Sequence, residues 1–324
     1  MGNETAMAQA LRQLERVVIL THRRPDGDTV GSAAALCLGL RQLGKAAWVL
    51  ENPQCTEKYR PYLAGLTCAA IEADATLVAV DIAAEDMLPK GFSAPCPIAL
   101  AIDHHATNSG YALASLVRPE RAACGEIIYD VLLALGVQLT KEIAEALYVA
   151  ISTDTGCFRY SNVDSHTFHV AAALLEAGVA PYPIHRRLFE VKRFARLQLE
   201  AYLTQTMAFY AGGKIGLCCI PASIREELAL TEDDVDDLAG FARAIEGVEL
   251  AAMLREKPEG GVKLSLRSGQ CYDAGAICKR LGGGGHFSAA GASHPGSPAA
   301  ATHALLEAIF AQYPELEVPC QAES

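Results

Sequence analysis

Short apolar runs alternate with longer helical stretches along the first half of the chain. Residues 17–21, 46–50, 77–81 and 98–103 are brief, mostly apolar segments bounded by polar or Gly/Pro-containing stretches. Runs of that length predict strands buried on both faces. The Ala/Leu-rich stretch 30–43 ends at Gly44, and helical patterns occupy 126–135, 141–153 and 166–176. This rhythm predicts an α/β domain, a mostly parallel sheet with helices on both faces.

Near residue 186 the texture changes. Residues 187–210 contain neither Gly nor Pro and predict one long connecting helix. A strand KIGLCCI follows, then an acidic helical segment at 231–245, and strands VELAAMLRE and GVKLSLRS joined through KPEGG. The helix DAGAICKRL then leads into GGGGHFSAAGAS. Adjacent strands with helices around them predict a smaller α+β domain. The expected organisation is residues 1–186 as a first domain, 187–212 as a helical connector and 213–324 as a second domain.

Composition narrows the function classes. Half of the 324 residues are apolar, which excludes a disordered chain. No apolar run approaches the ~20 residues of a membrane-spanning helix. The start, MGNETAMAQALRQLE, lacks the basic and apolar regions of a signal peptide, so a cytoplasmic protein is expected. Eleven cysteines without a CxxC pair predict neither a disulfide framework nor a thiolate zinc site. A net charge of −11 argues against coating of long DNA, yet leaves room for a short anionic substrate at a local site.

Chemistry concentrates at the ends of the predicted elements. THRRPDGDTVGS follows the run VVIL and sets His22, Asp26 and Asp28 within seven positions. Asp81 closes one predicted strand, Asp103-His104-His105 closes another, and Asp154 lies in TDTGCFRYSN at a helix end. Singly, each aspartate also reads as a turn or cap residue. Ligands of open α/β sheets gather beyond the carboxyl ends of the strands, so the four motifs are expected to be neighbours. A set of carboxylates and imidazoles without thiolate suits Mn²⁺, Mg²⁺ or Fe²⁺ better than structural zinc. A carboxylate bridging two cations ~3.5–4 Å apart is a recurrent device for hydrolysing phosphate esters.

In order, HRRPDGD, Asp81 in VAVD, the DHH triplet and TDTG resemble the four motifs of the DHH phosphoesterases, and GGGGHFSAAG resembles the signature of the DHHA1 domain. The resemblance covers nearly the whole chain. It implies a DHH metal-binding catalytic domain and a DHHA1 substrate-binding domain, with the active site in the cleft between them. It further implies one cation on His22, Asp26 and Asp81, and a second on Asp28, Asp81, His104 and Asp154. Mn²⁺ is the first expectation, with Mg²⁺, Fe²⁺ or Co²⁺ as alternatives. Asp103 would orient an imidazole, and His105 would face the scissile phosphate as hydrogen-bond or proton donor. Arg267, Ser268, Gly283, Gly284, Gly285 and His286 would hold substrate, with Arg159 a further candidate. Read on their own, the glycines free the backbone to approach an anion or form a plain turn. Arg267 similarly reads as a phosphate fork or a solvated strand-end charge.

The branch within the family follows from what is missing. The second domain has no Ser-Arg-Lys-Lys run of the family's pyrophosphatases, and the chain has no room for the extra nucleic-acid domains of RecJ-type exonucleases. It also lacks the membrane and sensory regions of the anchored cyclic-dinucleotide phosphodiesterases. What remains is similar to the compact nano-RNase and pAp-phosphatase branch. That resemblance implies hydrolysis of two- to five-nucleotide RNA, pApA-type dinucleotides or 3′-phosphoadenosine 5′-phosphate to nucleoside monophosphates. The alternatives are a cyclic di-AMP phosphodiesterase of the same fold and a non-catalytic nucleotide-binding regulator. Short RNA, a cyclic dinucleotide or pAp is thus the expected partner, with no membrane; a homodimer is compatible.

Overall fold

The structure, a computed structural model, describes residues 3–89 and 91–317. Its contacts fall into two compact units, Met1–Val191 and Lys192–Ser324. The first contains β1 (Arg16–Leu20), β2 (Ala46–Leu50), β3 (Thr67–Cys68), β4 (Thr76–Val80), β5 (Ile98–Asp103) and β6 (Ala114–Val117). Among the described residues they form one sheet in the order β3-β2-β1-β4-β5-β6, with every pairing parallel. The helices are α1 (Glu4–Arg12), α2 (Gly27–Gln42), α3 (Cys124–Leu135), α4 (Lys141–Asp154), α5 (Ser165–Glu176) and α6 (Pro181–His185).

Strand residues alternate between two cores, as the twofold repeat of a strand demands. Val17, Ile19, Val78, Val80 and Ile102 meet α1 to α5 on one face. Val18, Leu20, Leu77, Ala79 and Ala101 lie on the other, under Ile71, Met87, Phe92 and Tyr111. The expectation of helices on both faces is therefore corrected: the second face is covered by loops and short 3-10 turns. The β4–β5 connection carries Pro89, Pro95 and Pro97, whose missing N–H and fixed φ forbid a covering helix. α2 is buried nearly all round, because α4 packs directly on its glycines. A Cβ added at Gly31 would lie 2.3 Å from the Ala146 carbonyl oxygen. That explains an Ala/Gly/Leu sequence without a polar stripe.

The second unit holds α7 (Phe194–Thr206), β7 (Ala208–Tyr210), β8 (Ile215–Ile220), α8 (Ala222–Glu227), α9 (Glu232–Val235), β9 (Leu250–Glu256), β10 (Val262–Ser268), α10 (Ala274–Arg280), β11 (Gly284–Gly285), β12 (Ala289–His294) and α11 (Pro298–Gln312). Among the described residues its sheet runs β11-β12-β10-β9-β8-β7. It is antiparallel except for β8 with β9. α10 and α11 pack on one face, α7 and the 3-10 segment Leu238–Ala244 on the other.

Two further expectations are corrected here. The run 187–210 is not one helix: a π-helical turn at Arg186–Glu190 ends in extended residues at Val191 and Arg193 before α7 begins. Its apolar residues serve separate cores, Leu188 in the first unit and Leu199 and Leu203 in the second. The acidic segment 231–245 is also split, at Asp237, whose φ of 59° is left-handed.

Candidate metal centre

The strand order of the first sheet reverses between β1 and β4, which opens a crevice at their carboxyl ends. His22 follows β1 by two residues, Asp81 directly follows β4, and Asp103 closes β5 ahead of His104 and His105. Asp81 adopts φ 58°, a left-handed conformation that aspartate tolerates better than most residues. Its N–H donates to the Ile102 carbonyl at 2.9 Å, so the strained residue is tied to β5.

Two helix starts supply further carboxylates. Asp26 caps α2 by accepting from the N–H groups of Asp28 (3.0 Å) and Thr29 (3.1 Å). Asp28 points across to α3, whose own N-cap Ala123 offers no side-chain acceptor. The Cys124 N–H (2.6 Å) and Gly125 N–H (2.9 Å) donate to its two oxygens, and the Ser32 hydroxyl adds a third bond. Asp28 therefore caps a second helix, where the dipole favours an anion. Asp154 is the last residue of α4, the end where a helix dipole disfavours one.

The imidazoles face these carboxylates. His22 Nε2 lies 3.5 Å from Asp26 and 3.6 Å from Asp81. His104 Nε2 lies 3.4 Å from Asp154, 3.6 Å from Asp81 and 3.9 Å from Asp28. Most of these gaps exceed a hydrogen bond. They approach the ~3 Å separation kept by neighbouring oxygen or nitrogen ligands that share a cation at ~2.1 Å. His22 Nδ1 donates to the Arg23 carbonyl (2.8 Å) and His104 Nδ1 to the Arg121 carbonyl (3.2 Å). A carbonyl only accepts, so in the neutral ring each Nε2 carries the lone pair, turned toward the carboxylates.

Charge is out of balance in this crevice. Burial first, then the charges of neighbouring aspartates, push the Asp28, Asp81 and Asp154 carboxyls above their ordinary range. Asp81 Oδ1 is buried without a hydrogen-bond partner, the kind of orphan atom a fold does not leave without reason. His22-Asp26-Asp81 and Asp28-His104-Asp154 each bring one ligand atom per residue within 4.8 Å of one another. Asp81 also groups with His104 and His105, so it adjoins both triads. Carboxylate and imidazole donors around an orphaned oxygen fit divalent cations.

Asp103 has a different task. It is fully buried and accepts from His105 N–H (3.2 Å), His105 Nδ1 (2.7 Å) and Asn108 Nδ2 (2.7 Å). It thus orients His105, whereas His104 finds its partner in a backbone carbonyl. Burial opposes charge on His105, but the Asp103 hydrogen bond and the Asp81 carboxylate hold its pKa up at about 9. Arg159 lies on the loop after α4, its Nε donating to the Gly156 carbonyl at 2.7 Å.

The remaining candidates belong to the second unit. Arg267 and Ser268 end β10, and Gly284 and Gly285 form β11. Ser268 is buried; its hydroxyl donates to Phe287 O (2.8 Å) and its N–H to Ser288 O (3.0 Å). It holds the loop that carries exposed His286. Gly283 and Gly285 are needed for backbone approach, since a Cβ would lie 2.1 Å from Gly291 O and 2.5 Å from Ala289 O. Sequence reasoning missed Ser32, Asn108 and Asn162, as well as the Arg121 carbonyl. Asn108 and Asn162 lie close after the DHH and TDTG motifs, the one available signal; a carbonyl acceptor leaves none.

The family profile described as "DHH family, N-terminal domain" matches residues 16–151, and that of the DHHA1 domain matches residues 218–313. The chain is 35% identical to the Thermus thermophilus bifunctional oligoribonuclease and PAP phosphatase NrnA, over 90% of this chain and 88% of that one. The Bacillus subtilis protein of the same name is 23% identical over 90% of this chain and 93% of that one. A crystal structure of an exopolyphosphatase-related protein from Bacteroides fragilis shares the fold, with TM-score 0.85, 22% identity and 97% of both chains covered.

Proposed function

Because the chain belongs to the DHH family, with a DHHA1 domain after the DHH domain, we propose that it is a metal-dependent phosphoesterase acting on very short nucleotides. Its substrates are short oligoribonucleotides, pApA-type dinucleotides and 3′-phosphoadenosine 5′-phosphate, which it converts to nucleoside monophosphates. The activities for which these relatives are named support this substrate class. The observation that carries the reaction type is the buried Asp81 oxygen, without a hydrogen-bond partner, adjoining two ligand triads.

His22, Asp26 and Asp81 would hold one divalent cation; Asp28, Asp81, His104 and Asp154 would hold the second, with Asp81 shared. Two such cations, Mn²⁺ foremost, supply an activated water and neutralise charge on the phosphoryl group. The residues of the chain do the rest. Arg23 and Arg121 carbonyls fix the imidazoles, and Asp28 is fixed by the α3 N-terminus. Asp103 anchors His105 through Nδ1, which leaves Nε2–H to donate to the leaving oxygen. Arg267, Gly283, Gly284, Gly285 and His286 would hold substrate, with Ser268 bracing that loop and Arg159 adding a cation. No helix of the described residues is long and apolar enough to cross a membrane.

One side-by-side assay tests the reading: pApA, 3′-phosphoadenosine 5′-phosphate, cyclic di-AMP and pyrophosphate, each with Mn²⁺ and with EDTA. AMP release from the first two, abolished by EDTA, is expected. Turnover of cyclic di-AMP alone would favour the cyclic-dinucleotide alternative. No turnover of any substrate would sink the enzymatic reading.

A further inference from the structure

The loop between β6 and α3, together with the first two residues of α3, holds two members of one ligand triad through backbone atoms and reaches the third, Asp154, through the Asn162 side chain. The Arg121 carbonyl accepts from His104 Nδ1 (3.2 Å), and the N–H groups of Cys124 and Gly125 hold Asp28 (2.6 and 2.9 Å). The Ala122 carbonyl accepts from Asn162 Nδ2 (3.0 Å), which also donates to the Asp154 carbonyl (3.1 Å). Glu126 Oε2 accepts from Ala122 N–H (3.2 Å), which fixes the same loop from its other side. His104, Asp28 and Asp154 are thus referred to one five-residue stretch of backbone. None of these contacts reaches His22, Asp26 or Asp81. That triad has its own support, because Asn52 Nδ2 donates to the His22 carbonyl (3.0 Å) and to Thr21 Oγ1 (3.2 Å).

We propose that Arg121–Gly125, locked to the end of α4 by Asn162, is a brace that sets metal affinity at the Asp28-His104-Asp154 triad alone, with Asn162 as its positioning residue. The inference rests on the metal-dependent reading above and adds to it: apart from the shared Asp81 and the Asp28 N–H that donates to Asp26, the two ligand sets lean on different outer contacts. Asn162 is well suited to the task. It is solvent-exposed, so its loss leaves no cavity in the core. It nevertheless returns to Asp154, eight residues earlier, by a loop that turns through left-handed Cys157 and Phe158. Outer partners of metal ligands commonly govern affinity by ~10–100-fold.

The test places Asn162→Ala in two backgrounds and titrates Mn²⁺ by calorimetry and electron paramagnetic resonance. Asp26→Ala disables the first triad, and Asp154→Ala disables the second. Asn162→Ala should weaken Mn²⁺ binding by ~10–100-fold in the Asp26→Ala background and leave it unchanged in the Asp154→Ala background. Melting temperatures in EDTA should stay close to those of each parent. An equal loss in both backgrounds, or no loss with Asp26→Ala, overturns the brace. So does an Asp26→Ala protein that takes up no Mn²⁺. Wild-type protein that binds fewer than two Mn²⁺ per chain refutes the two-cation reading separately, and the comparison between backgrounds still decides the brace.

Discussion

At Gly31, α2 meets α4 with no side chain between them. A Cβ there would lie 2.3 Å from Ala146 O, 2.8 Å from Ala150 N and 2.9 Å from Ala150 Cβ. Two of these are backbone atoms of α4, so no rotamer change relieves the clash. Opening the contact to the 3.4 Å of an ordinary approach requires a local shift of about 1 Å. Overpacking of this kind costs ~1–3 kcal/mol, and a rigid backbone partner places Gly31→Ala at the upper end. Better helix propensity returns ~1 kcal/mol, which leaves a net loss of about 2 kcal/mol. The shift also acts on the site, because α2 carries Asp26 and Asp28 while α4 ends in Asp154. Metal–ligand distances tolerate only ~0.2 Å, so Mn²⁺ affinity should fall by about tenfold or more. Gly39→Ala, in the same helix, is the control. Its Cβ meets Leu132 Cδ2 at 2.4 Å, the far end of a flexible side chain, so stability should change by less than ~1 kcal/mol and affinity not at all. Urea unfolding in EDTA and Mn²⁺ titration read both quantities. If Gly31→Ala matched Gly39→Ala in stability and kept wild-type affinity, the reasoning would be refuted.

Three other outcomes are expected. Asp81→Ala should remove nearly all activity and lower metal occupancy, whereas His105→Ala should bind Mn²⁺ normally yet turn over slowly; kinetics with metal analysis check both, and near-wild-type turnover of Asp81→Ala would sink the bridging role. Mn²⁺ should raise the melting temperature above that in EDTA, by ~2.7 kcal/mol of stabilisation at a hundred times Kd, since it relieves the repulsion that lifts Asp28, Asp81 and Asp154; equal melting points would count against the site. Arg267→Ala should lose ~1.5–3 kcal/mol of contact to a substrate phosphate, roughly ten- to a hundredfold in kcat/KM for pApA, with a smaller loss on bis-p-nitrophenyl phosphate and intact metal binding; an equal loss on both substrates would place Arg267 in the chemistry or the fold instead.

Much of the first unit could be read from residues alone. β2 and β5 coincide with the expected runs, and β1 and β4 are displaced by one residue, because β-branched segments between polar loops leave few alternatives. The cluster of His22, Asp26, Asp28, Asp81, His104 and Asp154 was legible for a related reason: strand-end carboxylates converge at the switch point of a parallel sheet. Supporting contacts were not legible. Arg121 contributes a carbonyl and Asn162 an exposed amide, and neither leaves a mark in composition or periodicity. β12 was hidden because Ala289–His294 is built from small residues of low strand propensity. Its pairing with β10 and β11 comes from tertiary register rather than local preference. The unexpected break before α7 has the same origin, since two cores compete for one helical pattern.

Asp28 receives hydrogen bonds from residues 96 and 97 positions further along the chain, and this separation has a kinetic consequence. Closing so long a loop is entropically slow, and Asp154 comes only after all six strands of the first sheet and α3 along the sequence. A chain still emerging from a ribosome holds no complete Asp28-His104-Asp154 triad until residue 154 has been made and packed. Cation binding at that triad therefore belongs to a late stage of folding rather than to its nucleus. Contacts absent from the transition state slow unfolding and leave the folding rate nearly untouched. Mn²⁺ would thus lengthen the lifetime of the folded first unit without hastening its birth.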